Sequence, residues 1–108
     1  MKVNLKEKIL NEFNEPWKTE RGDLTLGKAL GGALFAPEQI DKDEKADRYT
    51  WGMRLMNSDS EDMSQRDMER LLEITGKMSP TVLYGRICEI FERYKKNASN
   101  ETGEHKKG

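Results

Sequence analysis

Ser64 and Asp67 stand three residues apart, bracketed by Met63 and Met68, and this short stretch fixes where a helix begins. A serine at the N-cap accepts the N3 amide, an acidic side chain at N3 reaches back to the N-cap amide, and apolar residues at N′ and N4 staple the chain's approach. Met68, Leu71, Leu72 and Thr75 then keep to one face, and Gly76 stands where a left-handed C′ residue would stop the helix. Ser79-Pro80 offers a second start, with proline at its favoured first helical position. Leu83, Ile87, Ile90, Phe91 and Tyr94 form the apolar stripe of the helix that follows. The second half is therefore a helical hairpin, predicted over 65–75 and 80–96.

The first half carries two more helices. Thr25 is an N-cap ahead of Leu26, Ala29, Leu30, Ala33 and Leu34, a helical face that Pro37 ends, giving a helix over 25–36. Gly27, Gly31 and Gly32 weaken that helix, so packing must compensate, and small residues let another backbone approach closely. Asp41 with Glu44 resembles a capping box, and Ala46, Tyr49, Met53 and Met56 repeat at helical spacing through a helix over 42–56. The polar run Asn57–Asp62 reads as a solvated linker. Upstream, Val3, Leu5 and Ile9 share one parity, interrupted by Glu7. Turn residues over 11–16 and a return at Trp17–Thr19 predict a small β-hairpin. The expected fold class is mainly α: an N-terminal β-hairpin followed by a compact bundle of about four helices, one domain over 1–96 with a disordered polar tail at 97–108.

Composition decides which functions survive. Leu, Ile, Val and Phe supply only 20 of 108 residues, while 36% of side chains are charged. The 19 basic and 20 acidic groups nearly cancel, so the chain lacks the large net charge that accompanies disorder and the basic excess of a dedicated nucleic-acid binder. So lean a core predicts self-association into a homo-oligomer that completes it. Cys88 and His105 are the only residues of their kinds, which leaves too few ligands for a cysteine or histidine zinc site and allows no intramolecular disulfide. No stretch has the length and apolarity of a signal peptide or a membrane span, and a cytoplasmic setting with no membrane partner is expected.

Three chemical motifs come close and fail. Gly22-Asp-Leu-Thr-Leu-Gly27-Lys28-Ala29 is one residue short of a phosphate-binding loop, with alanine where a magnesium-binding hydroxyl is needed and no buried strand before it. A calcium loop begun at Asn57 would need glycine and glutamate where Asp62 and Met68 stand. Nucleophilic catalysis would have to use His105 in the tail or Cys88 near the buried face of the last helix, and no carboxylate pair is singled out among 20. The chain is expected not to be an enzyme and to use no cofactor or metal.

Binding functions remain. Trp17 and Trp51 are candidate partner-binding residues because tryptophan is enriched at interface hot spots. Met53 and Met56 join them because flexible thioethers mould to a partner, although core filling is the commoner role for any one methionine. The alternative is a small helix-turn-helix-like DNA-binding regulator built on residues 64–94. It would place Thr81, Tyr84 and Arg86 near the start of a recognition helix, with Arg93 at its basic end.

The segments LTLGKALGGAL, EKADRYTWGMRLMN and MSQRDMERLLEITGKMSPTVLYGRICEIFE resemble a group of small phage and prophage proteins, over roughly residues 22–92. That group shares a charged N-terminal segment, a "TLG" helix start, an "EK..R" helix and a final helical pair with a proline between. The resemblance implies a phage or mobile-element origin and transfers no activity and no site residue. The expectation is a non-enzymatic interaction module, a regulator or inhibitor of a host process or an assembly factor, whose partner is a host or phage protein.

Overall fold

The computed structural model describes residues 1–36 and 38–107, the side chains of 98–107 excepted. In chain order the elements are β1 (Lys2–Asn4), β2 (Lys18–Thr19), β3 (Gly22–Asp23), α1 (Leu26–Phe35), α2 (Lys42–Asn57), β4 (Ser60–Asp62), α3 (Gln65–Met78) and α4 (Thr81–Lys107). The fold is mainly helical with an N-terminal β region, as the sequence predicts. α4 runs to Lys107, past the end expected at residue 96 and through the segment expected as a polar tail over 97–108.

The helix starts read from sequence are made in detail. Thr25 caps α1 through the Lys28 amide, and Asp41 caps α2 through the Glu44 amide. Ser64 and Asp67 form the complete reciprocal box at the start of α3, and Met63 and Met68 on either side are fully buried. α1 ends at Phe35, with Ala36 extended as a residue before proline should be. Gly76 does not end α3. The helix runs on to Met78 and is stopped by extended Ser79 ahead of Pro80.

The N-terminal hairpin forms, with Leu10 bridged antiparallel to Pro16 and the Trp17 amide bonded to Ile9, but β1 takes another partner. Val3, Leu5 and Ile9 are buried as their parity requires, but β1 pairs antiparallel with β4, Val3 opposite Glu61, so Ser60–Asp62 of the polar run becomes a strand instead of a free linker. The exposed edge of so short a strand needs a partner, and the backbone just before α3 supplies it. The return at 17–19 does form. Asn11 organises the turn, its Oδ1 accepting the Phe13 and Glu15 amides, with Asn14 at φ 61. Lys18–Thr19 then doubles back through Glu20-Arg21 onto Gly22–Asp23, where Gly22 supplies φ 97. Three residues close a ring: the Trp17 amide donates to Ile9, the Leu24 amide to Trp17, and the Ile9 amide to Leu24, at 2.8–2.9 Å.

The core lies where the N-terminal segment crosses the helices. Val3, Leu5 and Ile9 join Leu26, Leu30 and Leu34 of α1, Leu55 of α2, Met68, Leu71 and Ile74 of α3, and Ile87, Ile90 and Phe91 of α4. Thr75, fully buried, satisfies its hydroxyl on the Leu71 carbonyl at 2.8 Å.

Candidate interaction face

α1 and α2 pack antiparallel, and their glycines set how closely. A Cβ at Gly27 would collide with the Leu55 backbone oxygen, one at Gly31 with Met56, and one at Gly52 with the Phe35 ring. The expectation that these glycines admit a neighbouring backbone is met at Gly27 and Gly31. Gly32 has open space around it.

That close seam decides which face of α2 turns inward. The buried residues of α2 are Arg48, Gly52 and Leu55, whereas the residues one position on, Tyr49, Met53 and Met56, are exposed at 62%, 41% and 36%. The apolar repeat visible in the sequence thus lies about 100° of helix rotation away from the core. Large side chains cannot enter a seam where backbone meets backbone, so Met56 folds over Gly31 from outside and Phe35, 39% exposed, folds over Gly52. Phe35 and Tyr49 rings stand 6.2 Å apart. Grooves open at both ends of this strip. One of ≈ 570 Å³ is lined by Phe35, Ile40, Lys45 and Tyr49, the other of ≈ 710 Å³ by Arg21, Leu24, Lys28, Met53 and Met56.

Burying Arg48 requires partners, and it has two carboxylates. Its Nη1 donates to Glu38 and its Nε to Glu44, both at 2.7 Å; Glu44 also accepts from Arg70 at 2.7 Å. Burial pulls the Arg48 pKa down, but the hydrogen bonds to Glu44 and Glu38 outweigh it and hold the guanidinium charged. The Arg48 hydrogen bond, with help from Arg70, holds the Glu44 carboxyl below its ordinary value. Glu44 is therefore drawn into an ion network, and the box anticipated with Asp41 is only half made. Arg70 also lies 5.5 Å over the Trp51 ring. Trp51 and Trp17 are half-buried and packed against the core, so of the four candidate partner residues Met53 and Met56 stand outermost.

Of the residues of the DNA-binding alternative, the two arginines are spent elsewhere. Thr81 is exposed and Tyr84 half-buried, its hydroxyl pushed up by a hydrogen bond with Cys88. Arg86 donates to the Asn11 carbonyl at 2.7 Å and to Asn14 Oδ1 at 2.8 Å, pinning the 11–15 turn. Arg93 binds both oxygens of Glu7 at 2.6 Å, which accounts for the acidic interruption in the first apolar alternation. Neither guanidinium faces solvent unpaired, as phosphate contact would need.

The near-match to a phosphate loop is also occupied. The amides that would cradle a phosphate are taken by protein oxygens: Leu24 by Trp17, Leu26 by Glu7, Gly27 by Leu5, and Lys28 by the Thr25 hydroxyl. In the 57–62 run, Asp59 pairs with Lys6 and Glu61 with Arg54. Among the described residues no helix is long and apolar enough to cross a membrane.

Sequence reasoning named Met53 and Met56 but missed Phe35, Tyr49 and the cations Arg21, Lys28 and Lys45 beside them. The available signal was Gly52, which marks the side of α2 turned to α1 and so places Tyr49, Met53 and Met56 off the core. Comparison with models of protein families, with curated proteins and with solved structures found no match to this chain.

Proposed function

We propose that the chain is a non-enzymatic protein-interaction module of phage or mobile-element origin. It acts in the host cytoplasm as a regulator or inhibitor of a host process, or as an assembly factor, and engages a host or phage protein through the outer face of the α1–α2 seam. The observation that carries this reading is the stripe Tyr49, Met53 and Met56, with Phe35 beside it: four large apolar side chains left outside a core that is otherwise short of them. In a chain so poor in apolar residues, contiguous exposure of this kind marks an interaction site. The oxygens around the phosphate-like loop, the hydrogen bonds of Arg86 to the 11–15 turn and the ion pair of Arg93 with Glu7 weigh against nucleotide and DNA binding.

The test is a quantitative pull-down from bacterial lysate, nuclease-treated, comparing the native chain with Tyr49→Ala/Met53→Ser. Loss of a stoichiometric protein with the double variant is the expected result. Capture unchanged by the substitutions, or nucleic acid recovered and lost steeply with salt, would overturn the reading.

A further inference from the structure

We infer that the occupant of the seam is an acidic amphipathic helix of another protein; this rests on the interaction-module reading and gives its partner a chemistry. Ala46, Tyr49, Met53 and Met56 follow one another at spacings of three and four, the pattern with which one helix receives another. All four are exposed, and the stripe runs about 15 Å along α2. Apolar grooves at both ends extend it toward Leu24 and Ile40, long enough for about three turns of a bound helix.

The rim supplies the sign of the charge. Arg21 and Lys28 border one groove and Lys45 the other, and none of the three is in an ion pair among the described residues. Of the carboxylates on the same rim, Glu38 is held by Arg48, leaving Glu20. A chain with net charge −1 therefore borders its outer apolar strip with a net positive edge, three cations against Glu20, which favours acidic flanks on whatever lies there. A second copy fits less well. A two-fold contact sets the patch against itself, and antiparallel pairing of α2 would bring the Lys45 end of one copy to the Arg21 and Lys28 end of the other.

The experiment uses the full chain to sort a displayed library of 20-residue helices. Leu or Met is fixed at three- and four-residue spacing, and flanking positions are free to be Glu, Lys, Gln or Ser. Enriched clones should carry excess Glu, bind Lys28→Glu/Lys45→Glu at least tenfold more weakly, and lose binding to Met53→Ser. Lysine-flanked counterparts should gain on the charge-reversed variant. Circular dichroism and urea midpoints confirm that each variant is folded. Enrichment of lysine, indifference to flanking charge, or binding that survives Met53→Ser overturns the inference. A doubling of mass in sedimentation equilibrium that Met53→Ser abolishes assigns the stripe to a second copy. It overturns the acidic-helix inference while leaving the seam an interaction face. Failure of the library together with a pull-down unaffected by the stripe variant removes both.

Discussion

Replacing Gly27 and Gly32 separately by alanine asks one helix the same question at two positions and should receive opposite answers. By intrinsic propensity both changes stabilise α1, by up to about 1 kcal/mol in the helix interior and less in the first turn. At Gly32 nothing lies within 4 Å of the new methyl, so the gain is realised and Tm should rise by roughly 3–6 °C. At Gly27 the methyl overlaps the Leu55 carbonyl oxygen and stands 3.2 Å from Leu5 Cβ. Ordinary C···O contact begins near 3.3 Å, so the helices must part by on the order of 1 Å. Both obstructions belong to fixed parts of the core, and Leu5 O is also the acceptor of the Gly27 amide. Overpacking of this kind costs about 1–3 kcal/mol. With the propensity gain subtracted, the net is a loss of about 1–2 kcal/mol and a fall in Tm of roughly 3–12 °C. Gly31→Ala should fall between, because its methyl meets the flexible Met56 side chain first. Urea unfolding followed by circular dichroism, with m unchanged, gives the three values. An order other than Gly32 above Gly31 above Gly27 would refute the claim that the seam is closed by backbone contact.

Ser64→Ala removes the hydroxyl that accepts the Asp67 amide, while the Ser64 amide keeps its bond to Asp67 Oδ2, and should lower stability by about 1 kcal/mol in the same assay. Glu44 has a depressed pKa in the folded chain, so its contribution is present above its ordinary value of 4.5 and is lost as pH falls through the lower folded value. The stability difference between the native chain and Glu44→Gln should be about 1 kcal/mol at pH 7, given partial exposure, and vanish in acid; a difference that grows on acidification contradicts the ion network. Arg86→Ala frees the 11–15 turn and should cost about 1–2 kcal/mol, with hydrogen exchange quickening at the Glu15 and Phe13 amides. If exchange there is unchanged, Arg86 does not hold the turn.

Local instructions were legible because they are chemical and short. Thr25, Asp41 and Ser64 cap helices wherever the rest of the chain goes, and the parity of Val3, Leu5 and Ile9 survives a change of partner. What could not be read were choices between neighbours. β1 needs a strand beside it, yet nothing in KVN says that Ser60–Asp62 will be that strand instead of the nearer Trp17–Thr19. Gly76 has the residue type of a helix end, but α3 runs past it to Met78 and stops at Ser79 ahead of Pro80. α2 is the clearest case: its most apolar face is the outer one, because Gly27, Gly31 and Gly52 reserve the inner position for side chains that scarcely project. The candidate site was half visible for the same reason. Met53 and Met56 suggested themselves by composition, while Tyr49 joined them only once the seam fixed which way α2 is turned.

The first ten residues touch nearly every later element. Val3 lies opposite Glu61, the Asn4 amide reaches the Tyr94 hydroxyl and Glu7 reaches Arg93. During synthesis at roughly 5–20 residues per second, β1 therefore exists for several seconds before its partner strand has been made. Over that interval Val3, Leu5 and Ile9 are an apolar segment without its neighbours, and an unpaired strand edge such as β1 recruits other chains. Lys2, Lys6 and Lys8 alternate with them and stay exposed in the finished fold. Two of these lysines end in ion pairs, Lys6 with Asp59 and Lys8 with Asp23. Before that their like charges keep nascent strands apart, so the residues that fasten the segment at the end are the ones that keep it soluble while it waits.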